Sequence, residues 1–215
     1  MKNINSISGY YFGNSQLDRI HKLLLPTILE VLEKLNLPTN KKFIFDLGCG
    51  NGSVANFISN KGWIITGVDP STDGIKQANK AFPALNLHRG SAYENLSEKY
   101  GEFPALISLE VIEHVYDPRH YLKTIFDLLI PGGTLIISTP YHGYWKNLVM
   151  ALFGKMDSHF HVLCDHGHIK FWSKKTLRIL LLETGLVNIK FKTVGRISII
   201  AKSMIVIAQK PKLQK

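Results

Sequence analysis

The chain has 215 residues, 45% of them hydrophobic, which fills one core and falls short of two ordinary domains, so residues 1–215 are read as a single domain. No stretch approaches the roughly 20 uninterrupted apolar residues of a membrane span, and Met1 to Ser8 is polar, so a cytoplasmic protein without integral membrane association is expected. The formal net charge of +10 comes from scattered lysines rather than a cluster, which argues against nucleic acid as a partner, and Cys49 and Cys164 are too few for a disulfide framework or a paired zinc site.

Asn14 and Ser15 are candidate caps for a first helix, in which Leu17, Ile20, Leu24, Ile28, Val31, Leu32 and Leu35 recur at helical spacing, with a kink expected at Pro26. Residues 1–40 are therefore read as a helical cover. Short apolar runs then alternate with amphipathic segments: Phe43 to Phe45, Ile64 to Val68, Leu85 to Leu87, Ala105 to Leu109 and Thr134 to Ser138. Ser71, and Asp117 followed by Pro118, supply helix starts between them. That order predicts a doubly wound α/β fold, Rossmann-like, with helices on both faces of a mostly parallel seven-stranded sheet.

The last third departs from this rhythm. Residues 141–172 have no clean period, carry most of the histidines, and read as a lid-like insertion over the carboxyl edge of the sheet. Ser173 then caps a helix through Leu182 that Gly185 stops, and Val187 to Val194 and Ser203 to Ala208 are two strands joined so closely that they must be antiparallel.

The chemistry concentrates first in Phe45-Asp46-Leu47-Gly48-Cys49-Gly50-Asn51-Gly52-Ser53, a glycine loop between a strand and a helix, where the backbone turns sharply and its amides can meet a ligand. Gly67-Val68-Asp69-Pro70-Ser71 then puts a carboxylate at the tip of the second strand, suited to a ribose. Both features also fit a nicotinamide oxidoreductase, but the glycines follow G-x-G-x-G rather than G-x-G-x-x-G.

These two motifs resemble the first and second motifs of the class I S-adenosylmethionine-dependent methyltransferases. Leu109-Glu110-Val111-Ile112-Glu113-His114-Val115 and Leu129-Ile130-Pro131-Gly132-Gly133-Thr134-Leu135 resemble the motifs around strands four and five in the branch of ubiquinone-biosynthesis-type O-methyltransferases. The passage from Gly167 to Ser173 resembles that branch's lid. The resemblance implies S-adenosylmethionine as cofactor and S-adenosylhomocysteine as product. Asp46, Gly48, Cys49, Gly50 and Gly52 would surround the methionine portion, Asp69, Pro70 and Ser71 the ribose, and Ser91 and Ala92 the adenine, with Leu109 and Glu110 completing the site.

Methyl transfer needs alignment above all, and a base only where the acceptor is protonated. His114, beside Glu113, is the candidate base after strand four. Tyr141, His142, His159, His161, His166, His168 and Trp172 are candidate acceptor contacts. No metal is expected, because histidines two apart do not share a helix face and a cationic donor needs no Lewis acid.

No Asn-Pro-Pro-Tyr or Asp-Pro-Pro-Tyr follows strand four, and no Pro-Cys pair stands there, which argues against bases and glutamine as acceptors. The expected activity is O-methylation of a small-molecule hydroxyl, either a phenolic quinone precursor or a sugar of a surface polysaccharide. A non-catalytic adenosylmethionine-binding protein and a nicotinamide-dependent oxidoreductase are the rival readings.

Overall fold

The five apolar runs that alternate with helical segments become the parallel half of one mixed sheet. The computed structural model describes residues 12–160, 167–195, 197 and 201–212. Its strands are β1 (Phe43–Leu47), β2 (Ile64–Asp69), β3 (Asn86–Arg89), β4 (Phe103–Leu109), β5 (Leu129–Pro140), β6 (Val187–Val194) and β7 (Ser203–Gln209), in the order β3-β2-β1-β4-β5-β7-β6. β1 to β5 run parallel, and β7 runs antiparallel to both β5 and β6.

The helices are α1 (Arg19–Lys34), α2 (Ser53–Ser59), α3 (Thr72–Ala81), α4 (Leu96–Tyr100), α5 (Pro118–Leu128), α6 (Tyr144–Leu152), α7 (Met156–Phe160) and α8 (Lys174–Glu183). Successive strand residues point to opposite faces, so each apolar strand feeds two cores. Phe45, Leu106, Leu135, Ile137, Met204 and Val206 join residues of α5 and α8 on one face. Ile44, Ile107, Ile136 and Ile205 join residues of α1, α2 and α3 on the other. Both faces of the sheet are thus covered, as the unbroken apolar character of its central strands requires.

Ser71, Asp117 and Ser173 cap α3, α5 and α8 through their side chains, as their positions in the sequence imply. The cap of α1 differs from expectation. Asp18, not Asn14 or Ser15, accepts from the His21 amide at 2.8 Å. Asn14 instead closes a turn onto the Gln16 amide and gives its carbonyl to Asn51 Nδ2 at 2.7 Å, so the segment before α1 is tied across the glycine loop. α1 continues through Pro26.

The insertion holds two short helices, α6 and α7, that the periodicity did not predict. α6 has inverted polarity: Tyr144 and Leu152 are each 73% exposed, whereas Lys146 is the one buried residue of the helix. Among the described residues no helix is long and apolar enough to cross a membrane.

Candidate active site

The strand order reverses at β1, which pairs with β2 on one side and β4 on the other, and the carboxyl ends of these strands open into a cavity of about 680 Å³. Such a switch point is where doubly wound sheets take their ligands. The loop after β1 turns through left-handed glycines at 48 and 50, with φ of 90° and 53°. A Cβ on Gly48 would lie 2.4 Å from Val111, and one on Gly50 would lie 2.7 Å from the Phe12 ring, so neither position admits a side chain without displacing its neighbour.

Asp69 ties the two cofactor motifs together. Its Oδ2 accepts from the Gly50 amide at 2.9 Å and its Oδ1 from the Ser71 amide at 2.7 Å. Burial raises its pKa and these two amides oppose that rise. Each oxygen keeps a second lone pair, so the carboxylate can accept ribose hydroxyls while holding the loop. Ser91 and Ala92, the candidates for the adenine, line the cavity, and Ser91 Oγ accepts from the Tyr93 amide.

Asp46 faces the same space and is 2% exposed, and its Oδ2 has no hydrogen-bond partner. Burial lifts its pKa to about 7, with His21 lowering it and Asp69 adding to the rise. An orphaned, buried carboxylate oxygen beside an acidic wall of Asp18, Asp69 and Glu110 fits a cation, and the ammonium and sulfonium of S-adenosylmethionine meet that demand. His21, hydrogen-bonded to Asp18, lines the same cavity. Burial lowers its pKa, but the bond and charge of Asp18, with Glu110 and Asp46, raise it on balance.

At the end of β4, Glu110 sits at φ 55° with its amide bonded to the Ser138 carbonyl and hydroxyl, while its carboxylate accepts from Ser138 and Ser203 at 2.8 and 3.1 Å. A short turn then brings Glu113 inward. It is 1% exposed, neither carboxylate oxygen has a hydrogen-bond partner, and burial and the neighbouring Glu110 push its pKa well up. The chain folds back over this turn, the amides of Ile169 and Lys170 bonding to the Glu113 carbonyl. His168 is thereby placed with Nε2 4.0 Å from Glu113 Oε1 and its ring 4.9 Å from that of His114. His114 Nδ1 lies 3.2 Å from the Gly167 carbonyl. A carbonyl only accepts, so Nδ1 carries the proton and Nε2 is the basic nitrogen of the neutral ring.

One donor atom from each of Glu113, His114 and His168 lies within 4.8 Å of the others, the spacing of a site able to hold a metal ion. Sequence spacing alone considered only the histidines within the insertion and missed this grouping, which combines the end of β4 with residue 168.

Of the sequence candidates, Asp46, Gly48, Cys49, Gly50, Asp69, Pro70, Ser91, Ala92, Leu109, Glu110, Glu113, His114, His142, His159 and His168 line the cavity. Four do not. Gly52 packs against Leu87 and Ala78, and Ser71 is spent on capping α3. Trp172 is buried with its indole N–H on the Ile112 carbonyl, and Tyr141 packs against the core beneath Lys174. His161 and His166 lie outside the described residues. Phe12, Asp18, His21, Lys146, Lys202 and Ser203 also line the cavity, and no local motif pointed to them.

Residues 17–190 match the family model described as a methyltransferase domain. A ubiquinone biosynthesis O-methyltransferase of Caulobacter sp. is 36% identical over 100 residues, 45% of this chain and 40% of that protein, so the match spans less than half of that relative's length. One of the same name from Hydrogenovibrio crunogenus is 25% identical over 192 residues, 86% of this chain and 78% of the relative. Among solved structures, magnesium protoporphyrin IX methyltransferase of Synechocystis with bound S-adenosylhomocysteine aligns at a TM-score of 0.66 and 16% identity, covering 92% of this chain and 90% of that one. The methyltransferase domain of a bacterial Hen1 aligns at 0.66 and 21%, covering 89% and 100%. Because the family model runs through the glycine loop, Asp69 and the end of β4 alike, the chain belongs to the methyltransferase-domain family.

Proposed function

We propose that the chain is an S-adenosylmethionine-dependent methyltransferase that transfers the methyl group to a hydroxyl oxygen of a small molecule. The observation that supports this reading is the Glu113, His114 and His168 group at the end of β4, in the same cavity as the cofactor loop. A hydroxyl must lose its proton as the new carbon–oxygen bond forms, so a site for this reaction needs a proton acceptor near the acceptor oxygen. The cofactor supplies the activated methyl group; the protein aligns, shields and deprotonates. His114 Nε2 takes the hydroxyl proton, with Nδ1–H held by the Gly167 carbonyl so that the ring keeps one tautomer and orientation. The similar ubiquinone biosynthesis O-methyltransferases favour an oxygen acceptor, and a phenol or a sugar ring suits the aromatic lining of Phe160 and Phe171.

Release of S-adenosylhomocysteine from purified protein, with phenols, sugars and amines as separate acceptors, tests the reading. Methyl ethers identified by mass spectrometry support it. Methylation confined to nitrogen, or no release with any acceptor, overturns it.

A second reading of the same group is favoured by the burial of the Glu113 carboxylate and the spacing of the donor atoms around it. Glu113, His114 and His168 would then hold a divalent cation, whose charge would acidify the acceptor hydroxyl. Loss of turnover on chelation with recovery on adding magnesium, manganese or zinc supports this reading. A chelation-insensitive rate leaves His114 as the base.

A further inference from the structure

Lys146 is the buried residue of a helix that otherwise turns apolar side chains outward, and no hydrogen bond or ion pair among the described residues accounts for its position. It is 9% exposed, lines the cavity, and among the described residues makes neither a hydrogen bond nor an ion pair. Burying a long cationic side chain is unfavourable unless something compensates it. Glu110, the acidic group whose charge acts on it, gives its carboxylate to the hydroxyls of Ser138 and Ser203. The ammonium therefore faces open space with its donors unspent.

The surroundings say what can fill that space. His142 is 8% exposed, and burial followed by the charge of Lys146 lowers its pKa to about 4, so it is neutral and adds no second positive charge. Phe160 stacks on the His142 ring at 5.9 Å, and Phe171 meets both rings edge-on at 4.9 and 5.1 Å, giving a flat-sided apolar wall beside the ammonium. Lys202 stands exposed at the margin of the same cavity. The acidic wall of Asp46, Asp69 and Glu110 belongs to the cationic donor, so the basic corner is left for the other substrate.

We propose that the methyl acceptor is a ring compound bearing a carboxylate, which Lys146 binds while the ring lies against Phe160 and Phe171 and the hydroxyl faces Glu113 and His114. Lys202 is exposed and screened by water at the margin, so the ring wall presents one partly desolvated ammonium, which matches a single negative charge and favours a carboxylate over a dianionic phosphate. This rests on the hydroxyl-methylation reading above and narrows its substrate class.

The test uses matched pairs: catechol with 3,4-dihydroxybenzoate, and glucose with glucuronate. Each is titrated by calorimetry into protein saturated with S-adenosylhomocysteine and assayed for turnover. Within at least one pair the carboxylated member should bind and react on the order of 10- to 100-fold better, the difference expected of a hydrogen bond to a charged group. K146M should collapse that preference to about one, and K146R should restore most of it. S-adenosylmethionine affinity should stay within about twofold in both variants. No preference for the carboxylate in any pair, a preference that survives K146M, or a loss of cofactor affinity in K146M each overturns the proposal, the last by assigning Lys146 to the donor. The binding arm decides even if no compound is turned over, a result that would count against hydroxyl methylation instead.

Discussion

Replacing Asp46 with Asn should make the cofactor-free protein more stable and its cofactor binding weaker, and the balance between these effects should move with pH. The Asp46 carboxyl goes from an ordinary 3.8 to about 7 on folding because burial disfavours its charged form. A raised pKa means the folded state binds the proton more tightly, so stability is greatest below the unfolded value and declines as pH rises toward 7. At 1.36 kcal/mol per pH unit, the span from 3.8 to about 7 amounts to roughly 4 kcal/mol, fully felt above about pH 7. Asp46→Asn carries no charge and escapes this penalty. Urea denaturation of both proteins between pH 4 and 8.5 should therefore show a stability difference that grows with pH and levels off above about 7. Buried acids that do not interact with Asp46, Glu113 among them, contribute to both profiles and cancel in the difference, whereas His21 and Asp69 are coupled to it and titrate with it. Saturating S-adenosylmethionine should reverse the order at pH 8, because its ammonium satisfies the orphaned Oδ2 of the wild type. Parallel pH profiles without ligand would refute the raised pKa of Asp46, and equal stabilisation of both proteins by the cofactor would show that Asp46 does not face the methionine end.

Three further outcomes follow from the same geometry. Asp69→Ala should weaken cofactor binding by about 2–4 kcal/mol in calorimetry, since it removes a charged acceptor and frees the Gly50 amide; unchanged affinity would take the ribose elsewhere. Gly50→Val should fold but fail to bind, because its Cβ meets the Phe12 ring and its φ is positive; normal binding by the folded variant would mean that this loop is not the cradle. His114→Ala should lower turnover about 10²- to 10⁴-fold with cofactor affinity nearly unchanged, while His159→Ala should act mainly on acceptor KM; a reversed pattern in steady-state kinetics would move the base into the lid.

The parts of the fold read from sequence were those whose cause is local. Strands buried on both faces need continuous apolar runs, and Ser71, Asp117 and Ser173 cap where a side-chain oxygen precedes a helix. The start of α1 is ambiguous in the sequence because Asn14, Ser15 and Asp18 are all good caps, and Asn14 is drawn onto Asn51 while Asp18 takes the cap. α6 was invisible because its buried position is a lysine, so the apolar period that marks a helix facing a core is turned inside out. The site divides in the same way. The glycine loop and Asp69 are consecutive motifs at one strand end each, whereas His21, Lys146 and the meeting of Glu113 with His168 exist only once α1 and the insertion pack over the sheet.

The placement of β7 between β5 and β6 has a consequence for synthesis. β6 leaves the ribosome first but has no strand to pair with until residues 203–209 follow, and throughout that interval β5 presents an open edge along Leu135, Ile136 and Ile137. An unpaired apolar edge of this kind is a template for association with other chains. Nascent or truncated forms that stop short of β7 should therefore be the aggregating species, with the seam between β5 and β7 closing as the last step of sheet assembly.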